Sequence, residues 1–303
     1  MTKILVLTTG GTIACTTGPD GALIPTVSGR ELVAAVADRF DPAATVFEVR
    51  ELTRLDSSSI TLADVDDIIA AVHRGLEDPG VTGVVVTHGT DSLEDTAIAV
   101  DVFHSDPRPV VFTGAMRPFD HPASDGPDNL FDAAVIAADP SARDLGALVV
   151  FGHAVLPARG AGKRHTAELT AFSSTAPEDA VRPAPLPVRP LADVDVAVLA
   201  ASPGADSRRV PADADGLVVE ALGAGNVGAA LGHALGTVLD AGVPVVISTR
   251  VPEGEVRGTY GGAGGGATLA AKGALGSGYL RSGQARMLLA AAIATGTDPA
   301  ALF

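Results

Sequence analysis

Residues 87–96 read Thr87-His88-Gly89-Thr90-Asp91-Ser92-Leu93-Glu94-Asp95-Thr96, and what flanks them decides the fold. Upstream, Val81 to Val86 is an apolar run of strand length, bounded by Pro79-Gly80 and by His88-Gly89. A run of this kind between turn residues predicts a buried strand. Downstream, Leu93, Ala97, Ile98 and Val100 recur at helical spacing, with Asp91, Glu94 and Asp95 crowding the first turn. Acids there favour a helix start, because they meet unbonded N–H groups and the positive end of the dipole. The stretch is a tight strand-to-helix turn that presents a hydroxyl, Thr90, beside a carboxylate, Asp91.

A second turn of the same kind lies at the N-terminus. Lys3 to Thr8 is strand-like, and Thr9-Gly10-Gly11-Thr12-Ile13-Ala14 follows it. The paired glycines let the backbone turn sharply and approach a ligand closely. They leave Thr12 on an uncrowded loop at the carboxyl end of the first strand. Two threonine-bearing turns after two strands form a candidate reaction centre.

Around these turns, strand-like stretches near 3–8, 45–51, 82–87, 109–113 and 146–151 alternate with helical patterns near 28–39, 61–77, 91–104 and 127–138. The alternation predicts a doubly wound, mainly parallel α/β sheet over residues 1–175. In such sheets ligands sit beyond the carboxyl ends of the strands, where the winding reverses. In a flavodoxin-like order strands one and three are neighbours at that point, and Leu55-Asp56-Ser57-Ser58-Ser59 opens beside the same crevice. Pro177, Pro183, Pro185, Pro187 and Pro190 mark residues 176–193 as a linker. Residues 194–303 are expected to form a smaller α/β domain, with strands near 194–200, 216–220 and 243–248 and helices near 226–241 and 284–295. The glycine-dense stretch 258–278 is expected to be a surface loop or a mobile segment over a site.

Composition limits the function. The 303 residues are 47% hydrophobic and carry a formal charge of −15, which argues against nucleic acid or an anionic membrane as partner. One cysteine, Cys15, permits no internal disulfide and fits a reducing compartment. No apolar run approaches transmembrane length, and the N-terminus enters its first strand without a signal-peptide pattern. A cytoplasmic location is expected. His153, His165 and His233 show no metal-ligand spacing, and the glycine run lacks the lysine–serine ending of a phosphate loop. Neither metal nor cofactor is expected.

Val6-Leu-Thr-Thr-Gly-Gly-Thr12-Ile-Ala and Gly83-Val-Val-Val-Thr-His88-Gly-Thr90-Asp91 resemble the two signatures of the bacterial-type L-asparaginase family. Gly114-Ala-Met-Arg-Pro118, followed by Ser124-Asp-Gly-Pro-Asp-Asn129, resembles a third block in the right order, and Lys163 falls where the family's catalytic lysine is expected. The resemblance implies hydrolysis of L-asparagine, and weakly of L-glutamine, to the acid and ammonia by a homodimer or homotetramer. It implies Thr12 as nucleophile and Thr90, Lys163 and Asp91 as a hydroxyl–amine–carboxylate relay. A variant of the same chemistry has Thr90 attack or activate water, and the residues alone leave both open. Asp91 is the implied partner of the substrate α-ammonium. Asp56, Ser57 and Ser58 resemble the loop that holds the α-carboxylate, and the Thr90 N–H and the Ala115 backbone are the implied contacts of the side-chain amide. His88 and Cys15 are expected to be structural.

The chain departs from the family in three places. Ser92 stands where a threonine is usual, Ala22-Leu-Ile-Pro25 lacks the flap tyrosine, and residues 254–266 lack a clear match for the acid that some relatives lend to a neighbouring subunit. Tyr260, at the head of the glycine run, is the candidate to replace the flap tyrosine, from its own or a partner chain. Two other functions compete: a glutaminase-like subunit of a tRNA-dependent amidotransferase, and an amino-acid-binding protein whose relay has decayed.

Overall fold

Strand β1 (Thr2–Gly10) is the spine of the first of two units into which the chain divides, Met1–Ser174 and Thr175–Phe303. The computed structural model describes residues 1–303. After β1 come the hairpin β2 (Cys15–Thr17) and β3 (Leu23–Pro25), helix α1 (Gly29–Ala34), β4 (Thr45–Leu55) and α2 (Leu62–Leu76). Strand β5 (Val81–Thr87) leads through the quoted turn into α3 (Leu93–Phe103), then β6 (Val110–Thr113), α4 (Gly126–Ala138) and β7 (Ala147–Phe151). Three short strands close the unit: β8 (Ala154–Pro157), β9 (Ala161–Lys163) and β10 (Phe172–Ser174).

The central sheet runs β4-β1-β5-β6-β7-β8, parallel except for the antiparallel edge strand β8. This is the expected flavodoxin-like order with one added strand. Because the first and third of its parallel strands, β1 and β5, are neighbours in register (Leu7 beside Val86, Thr8 beside Thr87), both turns leave the sheet at the same end. Ile4 to Leu7 and Val84 to Val86 are fully buried, as strands covered by helices on both faces must be. Ser28 and Thr61 start α1 and α2 with capping boxes to Glu31 and Asp64, which satisfy the unbonded N–H groups of each first turn. The helix expected over 28–39 stops at Ala34, because Val36 leaves helical angles (φ −126°) with its side chain fully buried; a short 3-10 turn, Ala37–Arg39, follows.

Residues 175–195 form neither helix nor strand. The second unit holds β11 (Val196–Ala200), β12 (Gly216–Ala221), α5 (Ala229–Asp240), β13 (Val245–Thr249), α6 (Gly266–Ala271), β14 (Leu275–Gly276) and α7 (Ser282–Thr295). Its four strands make a parallel sheet in chain order, with Leu217, Val219, Leu231, Leu235 and Leu269 in the core. The glycine-dense stretch is thus partly regular: its second half forms α6 and β14. Helix α5 starts three residues later than expected, because Asn226 is held by Leu222 through backbone bonds and accepts the Gly266 N–H on its side chain. No helix is long and apolar enough to cross a membrane.

Away from the site end of the sheet, Arg108 holds the end of α2 in place. Its guanidinium donates to the carbonyls of Leu76, Asp78 and Val81 and pairs with Asp106. Arg108→Met leaves those acceptors and the Asp106 carboxylate without their donor. It is expected to lower the unfolding free energy of this unit by about 2 kcal/mol in a urea titration.

Candidate active site

The two turns meet backbone to backbone. Gly11 sits at φ 79°, and a methyl carbon built on it would lie 2.4 Å from Gly89 Cα. A methyl carbon on Gly89 would in turn lie 2.6 Å from Ser57 Oγ. Only hydrogen fits at either position, so the loops after β1, β4 and β5 converge where side chains are absent. Thr9 Oγ1 donates to the Thr87 carbonyl at 3.0 Å and ties the first two turns together. Ser57, 5% exposed, accepts the Asp91 N–H on its hydroxyl at 3.0 Å, and its carbonyl accepts the Ser92 hydroxyl at 2.7 Å. The serine at position 92 therefore makes a bond that joins the β4 loop to the β5 turn.

His88 is fully buried, and its Nδ1 lies 2.8 Å from the Gly89 carbonyl, which only an Nδ1–H can satisfy. Burial pushes its pKa down to about 4, so the ring is neutral at pH 7 and serves the turn, as expected. Cys15 donates to the Gly11 carbonyl, and burial followed by the charge of Asp56 pushes its thiol up, away from thiolate reactivity.

The fourth loop comes from β6. Asp125, just before α4, accepts the N–H groups of Met116 and Arg117 at 2.9 Å each. Asn129 donates to the Gly114 carbonyl at 3.0 Å and accepts the Gly152 N–H at 3.0 Å, so the loop carrying the buried Ala115 is pinned from two sides. The hairpin β2–β3 is held to the same region: Phe119 N–H donates to the Cys15 carbonyl, and Thr17 N–H to Asp120. Sequence reasoning had placed Asp125 and Asn129 only inside a recognised block, without a role.

At the centre, Lys163 Nζ donates to Thr90 Oγ1 at 2.8 Å and pairs with Asp91 Oδ1 at 2.6 Å. Thr90 is 6% exposed, whereas the Asp91 side chain is 66% exposed and faces the solvent side of the pair. Thr12 opens the 3-10 turn Thr12–Ala14 directly after β1 and is half-buried. Asp56 and Ser58 flank Ser57 and are exposed. The first unit therefore brings together Thr12, Ser57, Thr90, Asp91 and Ala115 through loops at one end of one sheet, with Lys163 reaching them from the separate strand β9. Tyr260 lies in the second unit, 65% exposed at the head of the glycine run. The residue the sequence reading missed is Glu94, counted only as a helix-start acid: its carboxylate accepts the Lys163 backbone N–H at 2.7 Å.

The arrangement can polarise a hydroxyl with an ammonium, hold a cationic substrate group on Asp91, and offer backbone donors from tight turns to a developing oxyanion. Comparison with known proteins points the same way. Residues 3–182 match the family model for the N-terminal asparaginase domain, and residues 195–302 that for the glutaminase/asparaginase C-terminal domain. A probable L-asparaginase of Deinococcus radiodurans is 34% identical over 95% of this chain and 91% of its own. An L-asparaginase of Bacillus licheniformis is 33% identical over 97% and 96%. The crystal structure of a probable cytoplasmic L-asparaginase from Campylobacter jejuni superposes with a TM-score of 0.83 at 25% identity, covering 99% of this chain and 97% of that one.

The neutral burial of His88 has a measurable consequence. Its folded pKa lies below that of an exposed histidine, so the unfolded chain binds more protons between the two values and stability there is lost as the pH is lowered. From pH 7 to pH 4 the wild type should lose about 3 kcal/mol through this residue alone. The urea-unfolding free energy of His88→Gln should show a correspondingly shallower decline over the same interval.

Proposed function

The chain belongs to the bacterial-type asparaginase family, and from that premise we propose that it hydrolyses L-asparagine to L-aspartate and ammonia, with L-glutamine as a weak substrate. The observation that carries this reading is the contact of Lys163 with both Thr90 and Asp91, since a hydroxyl bonded to an ammonium beside a carboxylate is a unit that moves protons. Asp91, exposed next to that unit, holds the substrate α-ammonium, and Ser57 with its neighbours Asp56 and Ser58 receives the α-carboxylate. The Thr90 N–H and the Ala115 backbone contact the side-chain amide.

In the proposed sequence, Thr12 Oγ attacks the amide carbon and the C–O bond forms with an oxyanion. The relay takes the proton of the attacking hydroxyl and gives one to the nitrogen, the C–N bond breaks, and ammonia leaves. Water then attacks the aspartyl ester, the C–O bond to Thr12 breaks, and the threonine hydroxyl is restored. A second reading has Thr90 as nucleophile, favoured by the fact that the lysine bonds Thr90 directly. The protein is further proposed to be cytoplasmic and to act as a homodimer or homotetramer, with residues 176–193 linking its two domains. The first point is supported by its single cysteine and by the similarity to the probable cytoplasmic L-asparaginase of Campylobacter jejuni.

Ammonia release from free L-asparagine and L-glutamine by the purified chain tests the reaction. It also separates it from an amidotransferase subunit, which needs a partner, and from a binding protein, which releases none. Thr12→Ala and Thr90→Ala should each lower kcat by about a thousandfold or more, and the double variant should be little worse than either, as residues acting as one unit behave. Acid quench during turnover of a slow substrate, followed by peptide mass spectrometry, should find the acyl group on the Thr12 peptide. An ester on the Thr90 peptide would establish the second reading.

Tyr260 is proposed to supply the hydroxyl that the flap Leu23–Pro25 lacks. Tyr260→Phe should cost about 10²-fold in kcat with little change in Tm, within the range of positioned acid–base groups. Turnover within about twofold of wild type would leave Tyr260 as a loop anchor.

A further inference from the structure

Lys163 reaches the site from an unusual place. It is the last residue of β9, which pairs only with β10 and is no member of the central sheet. The ladder bonds that fix Thr12 and Thr90 through β1 and β5 therefore do not fix the lysine. What fastens its backbone to the catalytic turn is a side chain: Glu94 Oε2 accepts the Lys163 N–H at 2.7 Å. Glu94 is the second residue of α3, so it stands on the same short segment as Thr90 and Asp91, the two groups that the Lys163 ammonium must meet.

We propose that Glu94 is a positioning residue for the relay, whose carboxylate holds the Lys163 backbone and thereby sets the reach of its ammonium to Thr90 and Asp91. The proposal rests on the reading of Lys163 as a relay member. A 2.7 Å bond from an N–H to a carboxylate is of the charge-assisted kind, shorter and stronger than one to a neutral acceptor. The long, flexible lysine side chain needs such a fixed root, because a displacement of about 1 Å at a reacting centre can cost about 10²-fold in rate.

The electrostatics of the position make the hold sensitive to pH. Burial, then the charge of Asp95, push the Glu94 pKa up to about 7; Asp91 adds to the shift, while the N–H and charge of Lys163 oppose it. Above neutrality Glu94 is a carboxylate and the bond is charge-assisted; below it the neutral acid is a weaker acceptor. The sign for stability is the reverse. A carboxyl whose folded pKa is raised favours the folded state at low pH, and that contribution is lost as pH rises from its unfolded value through about 7. Glu94 thus serves the relay best in the charge state that serves folding least.

Two variants and two readouts test this. In a crystal structure of Glu94→Ala at pH 8.5, Lys163 Nζ should lie beyond hydrogen-bond distance of Thr90 Oγ1, and kcat should fall at least about tenfold with KM within about twofold. Glu94→Gln keeps an acceptor for the N–H but never ionises. It should match wild-type kcat at pH 6, fall several-fold below it at pH 8.5, and lack the rise of kcat near pH 7 that the wild type shows. Its Tm at pH 8.5 should be at or above that of the wild type, whereas a residue with only a structural role would lower Tm and leave the pH profile unmoved. Lys163 undisplaced in Glu94→Ala, or a rise near pH 7 that survives in Glu94→Gln, overturns the proposal. A displaced Lys163 with unchanged kcat would support the hold by Glu94 and would instead remove Lys163 from the relay.

Discussion

The contact between Gly11 and Gly89 is the constraint on which the site depends. Two loops that each carry a candidate threonine share a crevice because their backbones touch, and here a single added methyl would overlap the opposite chain. The parallel register of β1 and β5 brings the two turns out side by side, and the bond from Thr9 to the Thr87 carbonyl locks them. The β4 loop then closes from the third direction, with Ser57 against Gly89 and bonded to Asp91 and Ser92. Thr12, Ser57, Thr90 and Asp91 follow from this junction, whereas Ala115 is set by the bonds of Asp125 and Asn129 to the β6 loop.

Lys163 follows from a different kind of constraint. The start of α3 carries Asp91, Glu94 and Asp95 within five residues, a density of negative charge that a helix N-terminus tolerates but burial penalises. One lysine answers two of these acids in different ways, through its ammonium to Asp91 and through its backbone N–H to Glu94. The shift of Glu94 toward neutrality records how incompletely that burial is compensated. Such residual cost is common where groups are arranged for chemistry rather than for stability.

The legibility of the sequence followed the length of the elements. Strands β1 and β5 and the turns after them could be read directly, because the apolar run, the glycines and the hydroxyl residues are contiguous, and the parallel α/β class followed from the strand–helix alternation. The hairpin β2–β3 and strands β8 to β10 escaped notice, since three or four residues such as Cys15-Thr16-Thr17 or Ala161-Gly162-Lys163 carry no periodicity. For that reason Lys163 could be singled out only by resemblance. Glu94 was visible but disguised: an acid in the first turn of a helix already has an ordinary explanation, and nothing local points to a strand about 70 residues away. In the second unit the glycines suggested only a loop, whereas Asn226 and Gly266 anchor one another and let α6 begin inside the glycine-rich stretch.

The direction of the Lys163–Thr90 bond bears on how a proton would travel. An ammonium has donors and no acceptor, so in the bond to Lys163 the Thr90 oxygen must accept. Its own O–H is then turned away from the lysine. In that state Thr90 is a donor, suited to protonating a leaving nitrogen, and the lysine cannot take its proton until it has itself lost one and the bond has reversed. Thr12, on the opposite loop, makes no such bond to the lysine, although the relay that takes its proton must likewise hold an unprotonated base at that moment. With Thr12 as the proposed attacking group, the resting geometry suits Thr90 to the leaving group, even though it is Thr90 that the lysine touches. Under that proposal the direct contact is the means by which the departing ammonia is supplied with its proton.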